Sequence, residues 1–354
     1  MDFSLTEDQR ALRAGMRELM ERRYPRAELR AVVDAVAAEG DGADGADGAV
    51  DRSVWRELGV AGFFALRLPE AAGGVGLGLP EAVLAFEEAG RALLPGPLAI
   101  TQLAAGLSAV GLPVAGAAEG EAVVTGLDAA DEVRASGGSG GVLVEHLASA
   151  DVVLVLGDED AEVRPAKEIM STAEAIRSVD PATPLHRVRG RARGGSDGGA
   201  RSSPGRGIAA RLRREAALLT AAQQLGSAAR TVEMAVAHAR EREQFGRAIG
   251  TFQAVQHLCA SMLVRAETAR SVVYAAAVTE DPGDIAAATL LADEAAVRNA
   301  RDCLQVHGGM GFTWEADVHL HLKRAWVRAE QWQTAAAAEE ELATGLVSTG
   351  ARCL

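Results

Sequence analysis

The sequence predicts a mainly α, α+β protein with a helical N-terminal part, a small β-rich middle and a C-terminal four-helix bundle. Three observations carry that expectation. From Ile208 nearly to the end, apolar residues recur at helical spacing. Around Val114 the pattern changes to short β-branched runs between Gly and Asp turns. Before that, alanine-rich stretches with helix-start signals dominate. The expected divisions are an N-terminal helical domain over 1–113, a β domain over 114–186, a flexible linker over 187–206 and the bundle over 207–354.

The N-terminal part opens with Thr6-Glu7-Asp8-Gln9, a capping box in which Thr6 caps the helix and Gln9 reaches back. The helix runs on through Leu12, Met16, Leu19 and Met20. Gly40 to Ala49 carries Asp41, Asp44 and Asp47 at every third position. A calcium loop needs denser oxygen ligands and a closing Glu, so a flexible solvated loop is the better reading. Ala72 to Gly78 is glycine-rich and precedes a helix with Pro80 near its start. No strand of a βαβ unit precedes it and no Gly-Lys-Ser/Thr closes it, so it fails the context test for a dinucleotide loop. The helix continues through Val83, Leu84, Phe86 and Ala89 and ends in Leu93-Leu94-Pro95-Gly96-Pro97.

In the middle, Glu121–Gly126, Gly141–Val144 and Asp151–Leu156 read as strands. Arg187 to Arg206 is low-complexity, arginine among glycine and serine. Without aromatic interleaving, it reads as an interdomain linker rather than an RNA-binding segment. The bundle follows. Leu218, Leu219, Ala222, Leu225, Ala229, Val232 and Val236 mark its first helix; Leu258, Met262, Ala266, Ala269 and Val273 mark the second. A third starts near Asp281-Pro282-Gly283-Asp284 and a fourth lies beyond Gly311. Short links between such helices predict antiparallel neighbours.

Composition narrows the function classes. A formal charge of −13 over 354 residues argues against a nucleic-acid binder and against an anionic membrane surface. Cys259, Cys303 and Cys353 are scattered and odd in number, which fits neither a disulfide framework nor a metal site and points to a reducing cytoplasm. The N-terminus shows no signal-peptide pattern, and no apolar run is long enough to span a membrane.

The chemistry concentrates at Arg240 to Gln256. A charged helix end runs into Gln244-Phe245-Gly246, a short turn follows, and a helix opens at Thr251 with Phe252-Gln253 in its first turn. Arg242 can grip a phosphate as a planar fork, Phe245 offers a ring face, and Gln253 can donate and accept hydrogen bonds. This stretch resembles the flavin loop of the acyl-CoA dehydrogenases. Downstream, Gln305-Val306-His307-Gly308-Gly309-Met310-Gly311 resembles the family's Q-x-x-G-G-x-G turn, at the family's spacing. The likeness is clear up to about Pro97 and again from about Glu215 to Arg324. The passage ending in Leu93–Pro97 is similar to an actinobacterial branch that includes subunits of heteromeric steroid-side-chain dehydrogenases.

The resemblance implies FAD-dependent α,β-dehydrogenation of an acyl thioester, carried on CoA or on an acyl-carrier protein. It assigns Arg242 to the flavin pyrophosphate, Phe245 to the flavin or its adenine end, Gln253 and Gln305 to hydrogen bonds with it, and Gly308 and Gly309 to close backbone approach. Family sites are shared across subunits, so it also implies a homo- or hetero-oligomer, a dimer or tetramer. It places a small β-barrel in the middle, here reduced: no Trp lies between Trp55 and Trp314, and no counterpart of the family's flavin-contacting Thr-Glu-Pro segment is present. The catalytic base departs from the pattern too. The family's Glu-Gly-Thr is absent, and Gln331-Trp332-Gln333-Thr334 takes its place. A second family position, on the first bundle helix, falls on Ala216 beside Glu215, one residue and ~100° of helix rotation away. Glu215 is therefore the candidate base, with Glu330 and Glu315 as further options. His319 and His321 alternate and read as packing or interface residues, not a metal pair. Two alternatives to a dehydrogenase stay open: a base-less partner subunit of a heteromeric dehydrogenase, and a flavin-fold protein repurposed for a non-redox reaction in secondary metabolism.

Overall fold

The structure is a computed structural model describing residues 4–39, 50–129, 141–189 and 207–350. The aspartate repeat within 40–49 lies outside these residues, as does 190–206, nearly all of the expected linker. In chain order the elements are α1 (Glu7–Arg23), α2 (Arg26–Glu39), α3 (Arg52–Val60), α4 (Leu79–Arg91), α5 (Leu98–Ala105), β1 (Val124–Asp128), β2 (Val142–Glu145), β3 (Val152–Leu156), β4 (Ala161–Pro165), α6 (Ala166–Met170), β5 (Ala173–Ile176) and β6 (Leu185–Val188). They continue as α7 (Ile208–Glu241), β7 (Glu243–Gln244), β8 (Arg247–Ala248), α8 (Gln253–Thr279), α9 (Pro282–His307), α10 (Val318–Arg328) and α11 (Ala335–Gly350). The chain divides into two units. One comprises Met1–Arg22, Leu79–Leu94 and Ala217–Leu354; the other Arg23–Gly78 and Pro95–Ala216.

The first unit is helical. The capping box forms as read: the Gln9 N–H donates to Thr6 Oγ1 at 3.1 Å and the Thr6 N–H to Gln9 Oε1 at 3.1 Å. Residues 217–228 of α7 are all buried, so this helix presents no solvent-exposed face there. Its contact with α4 depends on glycine. A Cβ on Gly226 would lie 1.8 Å from the Glu87 carbonyl oxygen, and one on Gly90 would lie 2.0 Å from the Gln223 carbonyl oxygen. Two helix backbones thus touch directly. α4 also buries two carboxylates. Glu88 takes a two-pronged hydrogen bond from Arg17 at 2.7 and 2.8 Å. Glu87 accepts from Arg270 at 3.0 Å and from the Tyr274 hydroxyl at 2.5 Å. The α8–α9 hairpin turns at Asp281, whose side chain caps α9 at the Gly283 and Asp284 N–H groups. The fourth bundle helix, α10, is shorter than its predecessors at 11 residues, and α11 follows it. His321 is buried against Ser227 Oγ at 2.8 Å, while His319 stacks on Trp314 at 5.3 Å. The two histidines occupy different environments, as their alternation required.

The second unit carries the sheets. β1 pairs parallel with β3, and β3 antiparallel with β4; β6 pairs antiparallel with both β2 and β5. The three strands expected from the sequence form, joined by β4, β5 and β6. Two three-stranded sheets result, and among the described residues they do not close into a barrel. Leu127, Val142, Val144, Val153, Val155, Ile169 and Val188 form their shared core. Arg187 and Val188, expected in the linker, pair with Leu143 and Val142 in β6. They are the outer registers of a ladder, so the ordered strand runs past the expected boundary. In the glycine-rich turn after α3, the N–H groups of Gly73, Gly74, Gly76 and Leu77 are committed to the carbonyls of Glu70, Pro69, Leu68 and Leu66. No nest of free amides is left to receive a phosphate, which agrees with the failed motif test.

Candidate functional site

The helix α7 ends at Glu241, and the Arg242 N–H still donates to the His238 carbonyl at 2.8 Å. β7 and β8 then form a minimal hairpin, Glu243 opposite Ala248 and Gln244 opposite Arg247. The two residues between them, Phe245 and Gly246, have φ of +55° and +75°. This is the twist a two-residue hairpin turn demands, and Asn-Gly is its usual solution. Phenylalanine there costs about 1–2 kcal/mol. Phe245 is 91% exposed, so packing within this chain offsets little of that strain. Phe252 supports the loop: it meets Phe245 edge-on at 6.0 Å, and the Arg247 guanidinium lies 4.2 Å from its ring centre. α8 then opens at Gln253 with Phe252 at its N-cap and no side chain capping it. A 27-residue helix thus presents an uncapped, positively polarised end beside Arg242.

The second motif closes α9. Gly308 has φ +61° and ψ −142°, a combination open only to glycine. A Cβ on Gly308 or Gly309 would meet nothing within 4 Å, so the backbone faces open space. By contrast, a Cβ on Gly311 would lie 3.0 Å from the Leu304 carbonyl, which holds the turn onto α9. The α8–α9 register is fixed by Asn299. Its amide donates to the Met262 carbonyl at 2.9 Å, and its Oδ1 accepts from Arg265 at 2.9 Å. Because the hairpin is antiparallel, the start of α8 and the end of α9 share one end of the bundle. A histidine pair ties in the end of α7: His238 and His307 stack at 4.1 Å with 19° between planes. Arg242, Phe245, Gln253, Gln305, Gly308 and Gly309 therefore gather at one end of the helical unit, and all six are exposed.

Comparison with known proteins shows the family. Residues 6–119 match the acyl-CoA dehydrogenase N-terminal domain and residues 205–333 the C-terminal domain. The acyl-CoA dehydrogenase IpdE2 of Mycobacterium tuberculosis is 35% identical over 284 residues, covering 79% of this chain and 82% of the relative. The chain belongs to the acyl-CoA dehydrogenase family. Solved structures share the fold at lower identity. The ChsE4–ChsE5 complex from Mycobacterium tuberculosis aligns with TM-score 0.74 and 23% identity over 98% of this chain and 99% of the other. PigA with FAD and proline aligns with TM-score 0.78 and 18% identity, again over 98% and 99%.

For an acyl-CoA dehydrogenase, the donor set suits a flavin dinucleotide. A guanidinium and an uncapped helix end suit a diphosphate, two carboxamides suit a ring of mixed donors and acceptors, and Phe245 and the bare glycines suit a flat face. The candidate base is placed differently. Glu215 belongs to the second unit, and its side chain is 8% exposed. One oxygen accepts from Arg67 Nη1 at 2.6 Å, and the other lies 3.4 Å from Arg211 Nε. Both oxygens are thus engaged by guanidinium groups. Glu330 and Glu315 are exposed, and Trp332, where the family pattern would put its Glu, sits in a turn with φ +59°. Sequence reading missed three participants. Arg67 gives no signal, since an arginine far upstream announces no partner. His238 and His307 do carry one: each stands just inside its motif, His238 one turn before Arg242 and His307 directly before Gly308.

Proposed function

We infer that this chain works in the FAD-dependent α,β-dehydrogenation of an acyl thioester. The observation that carries the reading is the convergence of Arg242, Phe245, Gln253, Gln305, Gly308 and Gly309 on one bundle end, all presented outward. Bound FAD would take the hydride released from the β-carbon of the acyl chain. The chain's own residues hold and orient that cofactor. Arg242 and the N-terminus of α8 neutralise its diphosphate, Gln253 and Gln305 hydrogen-bond its polar edges, and Phe245 covers a ring. Because these groups point away from their own chain, they serve a flavin held jointly with a second subunit, in a homo- or hetero-oligomer. The thioester carrier is CoA or an acyl-carrier protein. The free thiols of Cys259 and Cys303 suit a reducing cytoplasm.

The engagement of Glu215 by Arg67 and Arg211 favours a more specific version, in which this chain is the base-poor partner in a heteromeric dehydrogenase. In that arrangement a catalytic homologue supplies the carboxylate that removes the α-proton. The ChsE4–ChsE5 likeness lends this version a precedent in architecture only.

The test is to purify the chain alone and with a co-expressed homologue, add FAD, and follow bleaching of the flavin by a panel of acyl-CoA thioesters. Bleaching that requires the homologue supports the partner reading; bleaching by the chain alone supports a self-sufficient dehydrogenase. Flavin that binds but is reduced by no acyl thioester in either preparation would leave the non-redox alternative standing instead.

A further inference from the structure

The His238–His307 stack is the only described ring contact joining the helix end that carries Arg242 to the helix end that carries Gly308. His307 Nδ1 lies 2.8 Å from the Cys303 carbonyl oxygen. A carbonyl only accepts, so Nδ1 carries the proton and the ring is fixed against its own helix. Cys303 Sγ, 3.6 Å from the same nitrogen, backs it from the buried side. His238 projects from α7 one turn before Arg242 and lies over that fixed ring. Two parallel imidazoles at this separation attract when neutral. Two imidazolium ions at that separation would repel each other.

We propose that His238 and His307 are positioning residues for the flavin, holding the Arg242 loop and the Gly308 turn in register only while the stack is not doubly protonated. The inference rests on the flavin reading above. The groups that act on His238 are known from each side: His307 across the stack, and Glu241 and Arg242 at its own helix end. Burial first, then the neighbouring His307 and Arg242, hold its pKa below the ordinary value of 6.5, and Glu241 opposes them. Because His238 is depressed in the folded state, the stack stays uncharged above about 6.5 and is lost only as pH falls through the lowered pKa of His238.

The experiment uses the full chain, with its partner subunit if one is needed to retain flavin. FAD affinity is measured by fluorescence quenching from pH 8 to pH 5.5 for the wild type, His238→Phe and His238→Ala. Histidine proton titrations are recorded on the flavin-free chain in parallel. The wild type is expected to lose affinity about tenfold or more on acidification. His238→Phe, which stacks but cannot charge, should flatten that profile, while His238→Ala should bind weakly at every pH. In the flavin-free chain, His238 should titrate below the ordinary imidazole value. A pH-independent wild-type affinity, or an equal acid loss in His238→Phe, overturns the proposal. Absence of flavin binding even at pH 8 overturns the flavin reading and the positioning role with it; the titrations then still report whether the stack forms.

Discussion

At the scale of single residues, Glu215 shows how far a motif position can drift from its chemistry. A carboxylate held by two arginines at 2.6 and 3.4 Å does structural work. Glu215→Gln is expected to leave flavin reduction by substrate unchanged while lowering unfolding free energy by about 1–3 kcal/mol; the lower end reflects the partial exposure of Arg67 and Arg211. Rapid-mixing kinetics and urea denaturation read the two effects separately, and lost flavin reduction with unchanged stability would restore Glu215 as the base. Two other groups, the buried His321 and the half-buried Asp293, set the pH dependence of stability with opposite signs. His321 is pushed from 6.5 down to about 3, by burial first and then by surrounding arginines. It therefore favours folding fully above pH 6.5 and progressively less as pH falls toward 3. Asp293 is pushed from 3.8 up to about 7 by burial, against the hydrogen bond from Gln224. It favours folding below 3.8 and loses that contribution as pH rises to about 7. Between 3.8 and 6.5 the two offset, so the wild type should show a shallow profile. Asp293→Asn, which keeps an acceptor for Gln224, should uncover a steep acid loss of up to ~1.4 kcal/mol per pH unit, measured as urea midpoints. A profile as shallow as the wild type's would contradict this account.

At the scale of elements, the helices were legible because their periodicity is long. The capping box at Thr6 and the Asp281 turn appear where the sequence put them, while α8 starts at Gln253, two residues past the expected Thr251, because Ile249–Thr251 form a separate 3-10 turn before it. β4, β5 and β6 were not legible. Ala161–Pro165 and Ala173–Ile176 are short, carry charges and are only partly buried, so they lack both the β-branched run and clean alternation. β4 is placed by pairing with the β-branched β3 and β6 by pairing with β2, and β5 then pairs with β6. The buried carboxylates of α4 were equally silent: Glu87-Glu88 reads as a solvated face until Arg17 and Arg270 arrive from distant parts of the chain. The α4–α7 contact gives the sharpest element-scale test. Gly226→Ala places a methyl 1.8 Å from a backbone oxygen of α4, where no side chain can yield. It should cost about 3 kcal/mol or more. Gly15→Ala, on α1 with nothing within 4 Å, should be neutral or slightly stabilising. Thermal melts of the two variants compare them directly, and equal melting temperatures would mean that the helices are not in contact.

At the scale of the whole molecule, the candidate site was read from local motifs, while its lopsidedness came from structure. The residues proposed to hold the flavin are exposed, whereas Glu215, the candidate base, is engaged by Arg67 and Arg211. The sequence carried the first half because Arg242, Gln253 and Gln305 sit in contiguous, spaced motifs. The second half depends on Arg67, which only the fold brings to Glu215. Such a division of labour fits an assembly in which each chain completes its neighbour. Mixing Arg242→Ala chains with a catalytic homologue should then yield an assembly of normal mass but with flavin content reduced by more than half, readable by light scattering and absorbance together. Full flavin content in that assembly would remove Arg242 from the site. The most direct measurement remains the visible spectrum of the purified chain at pH 8, alone and with its co-purifying partner, before and after adding FAD. The account expects a two-banded flavin spectrum in at least one of these preparations, abolished by Arg242→Ala. A colourless protein that takes up no FAD in any of them would contradict it.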